Sequence, residues 1–554
     1  MPDPTDSTTE AQPLNEEEGG AQGLPHPSGK EDGCRKEDGW WGRLGLSHLS
    51  NWRTACFFLS LFLCLIVVFA FSFIIPCPVR PVYLHMWNHT LPQAATYDFL
   101  AVKDANKDKV LDVLFVIKAP EGSLNITCVN QSLPTPCVFM SAVAGTNGEP
   151  LWERPLAPEL HWVQCGLSLG LGEEGKGCLL SHSNQLTAVS HHSGEIFWQR
   201  AHPPTYSSQL PVLTVPDLDK DGVDDLVLIG PGPAQAVLTI LSGKTGAGIG
   251  KEVGLESEVL THLLHTTAKG SPYILLHKDS GLYGVALQKI AAQAKPGCEK
   301  NLKKDEEWEK KTSSDTGQVL LYKSDKVQYV LSIAQKRKTS NLLVVTKDSV
   351  EVLNGDSLKS LWRTNASRLL SEPSLGHFNK DSIPDVVIEE NIGDGTKQVV
   401  ILDGSTGGVL WEVNMLLRPN SPQPSAVNTL NSYSIFVLWG EMPSQTNSSS
   451  PASKGHFSYM LNPEFSNVLL EKSNSIDQII AFKATLLERG RHACYITLTG
   501  PADQERLGTV MISKRKLKEE VPESRVLRLG VSPEGESDDE IRAAYNKLRF
   551  SKDV

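Results

Sequence analysis

The sequence is short of everything that announces catalysis or nucleic-acid binding. It has no Gly-x-Ser-x-Gly elbow, no phosphate-binding P-loop and no His-Glu-x-x-His helix. Its 15 histidines are scattered, and His191-His192 reads as a surface turn, so the pattern assembles no nucleophile with a base and no open metal site. Positive charge is in deficit: the net charge of −11 argues against a nucleic-acid partner, which would need a basic patch. Ten cysteines in 554 residues are too few for a disulfide scaffold, so their meaning depends on which side of a membrane they lie.

Residues 1–50 hold almost no aliphatic side chains before Leu44 and read as disordered, because they cannot bury enough surface to offset chain entropy. Trp40-Trp41 suits a membrane-interface anchor. Ala55 to Ile75 then carries no charge, and at ~1.5 Å per residue it spans the roughly 30 Å hydrocarbon core. No small-residue cleavage signature follows, which reads as a retained signal-anchor. Arg35, Lys36, Arg43 and Arg53 precede it and only Arg80 lies close behind, so the excess of positive charge puts the N-terminus in the cytoplasm. That is type II topology, with everything after Pro76 extracellular or luminal.

Two features fit this orientation. The glycosylation sequons at Asn88, Asn125, Asn130, Asn365 and Asn447 all follow the anchor. Cys128 and Cys137 flank a Pro-containing turn, and Cys165 and Cys178 bracket a Gly-rich loop; both spacings suit local disulfides in an oxidising compartment. Cys298 and Cys494 either pair at long range or stay buried thiols.

The most informative stretch is Asp217-Leu218-Asp219-Lys220-Asp221-Gly222-Val223-Asp224-Asp225. Acids stand at positions 1, 3, 5 and 9, Gly222 permits a sharp turn, and the run Leu226-Val227-Leu228-Ile229 follows as a strand. Asp217, Asp219, Asp221 and Asp225, with the Val223 carbonyl, form the all-oxygen set that a hard cation such as Ca²⁺ takes. Position 12 is Leu228 inside the strand, so this is a loop–strand site and not an EF-hand. A second copy offers Asp104, Asn106, Asp108, Asp112 and the Val110 carbonyl before Val113 to Ile117. A third keeps Asn379, Asp381 and Asp385 but begins with His377. Counting charge, the 217–225 loop ranks first, the 104–112 loop second, and the third is the weakest metal site.

A second motif alternates with the acidic loops: an apolar strand, a Gly-containing turn, an aliphatic residue and Trp. Its fullest form is Val399 to Trp411; others end in Trp152, Trp198 and Trp362, and a copy around Leu241 to Gly246 lacks the Trp. The period is near ~50 residues, the arithmetic of a four-stranded propeller blade. The long interval between about 250 and 362 hides one more repeat containing Gly281 to Leu287. The expected fold is all-β, a seven- or eight-bladed β-propeller with one N-terminal transmembrane helix, each Trp plugging between neighbouring blades. A blade made from both chain ends would hide the sheet edges. The expected domains are a cytoplasmic tail (1–54), the anchor (55–75), a stalk (76–96), the propeller (97–520) and a C-terminal tail with a short helix (521–554). Asn301 to Asp315 reads as a solvated, charged loop. The helix at 538–549 is similar in wording to the opening of a chaperone J-domain, but the His-Pro-Asp of that family does not follow.

The acidic loops resemble the FG-GAP repeats of integrin alpha propellers, and Leu402-Asp403-Gly404-Ser405-Thr406-Gly407 with Trp411 is similar to quinoprotein-type blades. A type II anchor followed by a glycosylated propeller of this mixed type resembles the family with sequence similarity 234, also called the integrin-alpha FG-GAP repeat-containing protein 3 family. The resemblance covers roughly residues 40 to 520 and implies a single-pass membrane glycoprotein without an assigned reaction. The expected function is a calcium-stabilised ectodomain that binds or scaffolds an unidentified protein partner, at the cell surface or in the secretory pathway. The alternative is a secretory-pathway enzyme. A glycosyltransferase-like protein would use Asp217-Leu218-Asp219 to hold a metal-bound sugar nucleotide; a quinoprotein-like one lacks the adjacent-cysteine pair over its cofactor. A third reading is a subunit that escorts another membrane protein.

Overall fold

The computed structural model describes residues 51–74 and 83–551, except 184, 203–210, 232–234, 256–258, 279–280, 312–317, 325–326, 335–338, 419, 444–456, 475–477, 488–491, 502–505 and 531–535. The expected disordered segment, Trp40-Trp41 and the sequon at Asn447 lie outside the described residues. The chain divides into two compact units, 1–80 and 81–554.

The first contains helix α1, Asn51–Ile74. Its window Thr54–Phe71 has a mean hydropathy of 2.7 with none of it buried in protein, so α1 is long and apolar enough to cross a membrane.

The second is the propeller. Its strands pair into seven antiparallel sheets. The largest is two units spliced by one long strand, Trp87–Lys103. Residues 87–94 of that strand pair with Gly508–Lys516, while residues 95–103 pair with Asp112–Ala119. Divided at that splice, the described strands form eight four-stranded units. Unit 1 runs from 95 to 157, unit 2 from 162 to 201, unit 3 from 213 to 254, unit 4 from 261 to 322, unit 5 from 327 to 365, unit 6 from 374 to 416, and unit 7 from 425 to 473. Unit 8 joins 479–516 to residues 87–94. The repeat expected in the long interval is unit 4, with Gly281–Ala286 as its third strand.

The second strands are the apolar runs of the sequence. Asp112–Ala119 and Ser434–Gly440 are buried at every position, and Asp225–Pro231 at all but its last. Strands covered on both faces read as near-continuous Val/Ile/Leu, and here each sheet has a neighbour on either side. The first strand of one unit touches that of the next, as in Thr261–Thr266 with Val327–Ile333, Ser374–Gly376 with Ser425–Asn428, and Ile479–Thr485 with the splice strand. First strands therefore lie inside the ring and fourth strands outside.

Helices enter as insertions. Within unit 4 come α2, Leu287–Ala294, and α3, Glu306–Glu309. The expected solvated loop at 301–315 is thus partly a packed helix, and its Trp308 is 1% exposed. After unit 8 come α4, Leu517–Glu520, and α5, Asp538–Lys547.

The sheets outrun the expected 97–520 at both ends. Trp87 opens the splice strand, ten residues before the expected boundary, and Arg525–Arg528 adds a fifth strand to unit 7. The described parts of 521–554 are bound to the propeller. Ser537 and Glu540 cap α5 reciprocally, and Ile541, Tyr545, Leu548 and Phe550 join the core cluster of units 7 and 8. Sequence alone shows the amphipathic face of α5 and not what covers it.

Cys128–Cys137 and Cys165–Cys178 are disulfides, the second joining directly opposed residues of adjacent strands. Cys298 and Cys494 form no disulfide and lie in different core clusters.

Candidate metal loops and the junctions they anchor

Each acidic loop connects the first strand of its unit to the second: 104–112 in unit 1, 217–225 in unit 3, 377–385 in unit 6. Within the loops, side chains hold backbone N–H groups that no strand satisfies. Asp217 accepts from Lys220 at 2.6 Å and Gly222 at 2.9 Å; Asp219 accepts from Asp221 at 3.1 Å; Asp221 accepts from Val223 at 3.0 Å. Asp104 accepts from Lys109, Asn106 from Asp108, and Asp108 from Val110. Asn379 and Asp381 repeat the pattern with Asp381 and Ile383.

The position-9 carboxylates differ from the rest. Asp112, Asp225 and Asp385 are fully buried. One oxygen of each closes its own loop, accepting from Ala105 at 2.8 Å, Leu218 at 2.6 Å and Phe378 at 2.6 Å. The other accepts from the N–H of a glycine in the turn before the fourth strand: Gly145 at 2.9 Å, Gly243 at 3.4 Å, Gly404 at 3.0 Å. Burial pushes the pKa of Asp112 and Asp225 up to about 6, opposed by these N–H bonds, and raises that of Asp385 in the same direction. In unit 5, Asn341 occupies this place, its side-chain oxygen accepting from Gly355 at 3.2 Å.

Those glycines also carry the junction with the preceding unit. The indole N–H of Trp87 donates to the Gly145 carbonyl at 3.2 Å, Trp198 to Gly243 at 2.9 Å and Trp362 to Gly404 at 2.8 Å. Trp152, Trp308 and Trp411 likewise donate to His191, Asp356 and Ser466. A second glycine lies flat on the ring where the turn is tightest. Gly148, Gly194, Gly246 and Gly407 have φ between +66 and +78°, and a Cβ on them would come within 2.5 Å of Trp87, Trp152, Trp198 and Trp362 respectively. Six junctions are thus made by Trp. At the junction of units 3 and 4, Leu287, Ile290, Ala291 and Ala294 of α2 pack against Ile249, Val253 and Leu255. Where units 7 and 8 meet, α4 and α5 fill the gap.

Trp87 and Trp308 fall outside the repeat ruler because one precedes the first full unit and the other arrives on an inserted helix. The signal for Asn341 was its place, a polar residue opening an apolar strand.

The three loops differ in what they bring together. Oxygens of Asp217, Asp219 and Asp225 lie within 4.8 Å of one another, the one such group of metal-ligating side chains among the described residues. Asp219 is raised by burial and then by the charges of Asp221 and Asp217, and the charges of Asp219 and Asp217 also raise Asp225. Crowded carboxylates of one sign are the chemistry that a hard cation relieves, so this loop fits Ca²⁺. Asp221 turns partly aside, its second oxygen accepting from Ser242. In the other loops an amide takes up the charge: Asn106 donates to Asp108 and Asn379 to Asp381, each at 3.2 Å. One oxygen of Asp104 is buried without a partner, as is Nδ1 of His377.

His191 is buried, its ring 4.0 Å from that of His192, whose Nδ1 lies 3.2 Å from the Ala105 carbonyl in the neighbouring loop. The pair is a packed turn at the junction of units 1 and 2. The sequons at Asn88, Asn125, Asn130 and Asn365 are exposed.

A model of the FAM234A/B beta-propeller matches residues 87–551, the span of the described sheets together with the C-terminal segment. The chain is 36% identical over 570 residues to Protein FAM234A of Homo sapiens, covering 100% of both chains. It is 32% identical over 488 residues to Protein FAM234B of Gallus gallus, covering 84% of this chain and 77% of that one. Among solved structures, the WD40 domain of SCAP from fission yeast aligns with a TM-score of 0.42 and 11% identity, over 77% of this chain and 97% of that one. With the propeller, its splice strand and its C-terminal segment all inside the matched span, the chain belongs to the FAM234A/B β-propeller family.

Proposed function

We propose that this protein is a single-pass type II membrane glycoprotein whose eight-bladed, calcium-stabilised propeller serves as a protein-binding scaffold without catalysis. In this reading α1 is a signal-anchor, and the exposed sequons and both disulfides belong to an extracellular or luminal ectodomain. The observation that carries it is the convergence of Asp217, Asp219 and Asp225 beside Gly243, the residue on which Trp198 docks. The loops at 104–112 and 377–385 are the FG-GAP-like relatives of this site, with weaker claims on a metal. A sugar-nucleotide role for Asp217 and Asp219 is disfavoured by their N–H bonds within the loop and by the burial of Leu218 between them.

Extracellular calcium is roughly millimolar. At an assumed Kd of about 0.1 mM one site contributes on the order of 1.4 kcal/mol, about 1–2 °C in melting temperature for a domain this size. The test is thermal unfolding of the full chain in uncharged detergent, with 1 mM calcium and then with chelator. Calcium raises the midpoint of the wild type, and Asp219→Ala abolishes the rise. A midpoint indifferent to calcium in the wild type removes the metal from this reading and leaves the loops as turns.

A further inference from the structure

Where units 7 and 8 meet, a cavity of about 180 Å³ remains beside α4, room for about six waters at ~30 Å³ each or for one sugar ring. One wall is a face of unit 8: Thr497 and Thr499 of its second strand, and Met511, Ser513 and Arg515 of its third. Lys472, from the fourth strand of unit 7, stands on the other side. Residues directly opposed in an antiparallel pair share a face, so the register carries the unit 8 wall outward by one strand. Thr497 pairs with Ser513, and Ser513 with Asn88; Thr499 pairs with Met511, and Met511 with Thr90. Asn88 and Thr90 are exposed on that outer strand, about 4.8 Å beyond the strand that lines the cavity. They are the first and third residues of a glycosylation sequon.

The lining is polar and its charges are balanced. Thr497, Thr499 and Ser513 are buried, and the hydroxyls of Thr497 and Ser513 bond each other at 3.0 Å. Lys472 is paired with Glu523, and Tyr495 donates to Glu520 of α4, so two carboxylates answer the two cations Lys472 and Arg515. The one hydrogen-bond contact of Arg515 is with the Met86 sulfur at 3.6 Å, which leaves its other N–H groups for an acceptor. Met511 and Ile479 add apolar surface. Such a site suits a neutral ligand rich in oxygen acceptors, and not a bare ion.

We propose that this cavity holds the first N-acetylglucosamine of a glycan on Asn88, so that the protein's own carbohydrate fills what α4 and α5 leave open at the junction. The proposal rests on the ectodomain reading and is independent of calcium. On attachment, one N–H of the Asn88 carboxamide is replaced by a bond to the anomeric carbon of the sugar. The proton and the lipid pyrophosphate of the oligosaccharide donor are released.

The test uses the full chain from glycosylating cells, purified in uncharged detergent. The native protein is treated with an amidase that cleaves glycan from asparagine, and glycopeptide mass spectrometry reads each site. Release at Asn88 is expected to be at least tenfold slower than at the other occupied sequons, and equal to them after denaturation. Arg515→Met is expected to bring native release at Asn88 to the rate of the others, whose own rates stay unchanged. Hydrogen exchange gives a second readout. Trimming to a single N-acetylglucosamine leaves protection at 494–499 and 508–513 intact, whereas Thr90→Ala, which removes the sequon and keeps Asn88, lowers it. The proposal is overturned by a bare Asn88 beside occupied sequons elsewhere, by native release at Asn88 as fast as at the others, by slow release that Arg515→Met leaves slow, or by protection that Thr90→Ala leaves unchanged. Bare asparagine at every sequon overturns the ectodomain reading with it.

Discussion

At the scale of single residues, Asp225, Gly243 and Trp198 form one device. The carboxylate holds the glycine N–H, the indole holds the same glycine's carbonyl, and a loop of unit 3 is thereby tied to the outer strand of unit 2. Removing the carboxylate leaves two buried N–H groups without acceptors, so Asp225→Ala costs about 1–3 kcal/mol. Because the two bonds meet on one residue, Asp225→Ala and Trp198→Phe are expected to be non-additive by roughly 0.5 kcal/mol or more, measured by a double-mutant cycle in denaturant. The sequence showed that Asp225 belongs to an acidic loop. It did not show that the residue also faces inward, because its partner Gly243 is 18 residues away across a hairpin whose register only the fold sets.

His182 makes a second residue-scale case. It is buried, its ring bonds Thr187 at 2.7 Å, and burial pushes its pKa down to about 4, with His202 and His161 adding to the shift. The unfolded chain protonates this histidine near pH ~6.5, so its contribution is whole above that pH and is lost as pH falls toward 4. His182→Gln keeps a polar partner for Thr187 and loses less stability than the wild type between pH 7 and 5 when melting midpoints are compared. Parallel profiles would show that the histidine titrates alike in the folded and the unfolded chain.

At the scale of elements, the Trp turn was legible and its exceptions were not. The pattern from Val399 to Trp411 declares a strand, a turn and a docking ring, because the spacing is local. Trp308 reaches the same kind of place from α3, in a charged segment whose hydropathy conceals it. It lies 4.6 Å from Tyr273 and 5.6 Å from His265, ring centre to ring centre. Trp308→Ala is expected to cost about 3–5 kcal/mol, as much as the same change at a strand-borne Trp, read by equilibrium unfolding. Gly407→Ala tests the other side of a joint. At φ +75°, with a Cβ position 2.4 Å from Trp362, it should cost more than about 1 kcal/mol. Unit 5 confirms the logic. Its corresponding residue, Leu358, also has a positive φ of 60° but faces a ring delivered by a helix, and a side chain is accommodated there.

At the scale of the molecule, the two junctions without Trp are the ones filled by helices. Unit 8 takes its fourth strand from the N-terminal side, so it has no tight turn to offer a ring from unit 7. Instead Tyr545 donates to the Met460 carbonyl at 3.1 Å, Leu430 donates to the Arg549 carbonyl at 2.9 Å, and Arg525–Arg528 covers the edge of unit 7. Deleting residues 517–554 should expose that cluster. The expected result is loss of hydrogen-exchange protection in Ser434–Gly440 and Phe457–Leu461, with units 1–3 still protected; unchanged protection would make the segment an ornament. Spacing narrowed the repeat count to seven or eight and raised the shared-end closure as a way to close the ring. The role of the last 38 residues was not, because nothing local distinguishes a helix that closes a ring from one on a tail.

The splice strand sets a timetable for synthesis. Residues 87–94 leave the ribosome early, yet their partners at 508–516 follow more than 400 residues later. At 5–20 residues per second that is roughly 20–80 s. Through that interval the half-strand carries Trp87 and unanswered backbone donors, while the other half already pairs within unit 1. Blades can condense one after another as the chain emerges, but the ring is a post-translational event, and its first strand is the last to find a place.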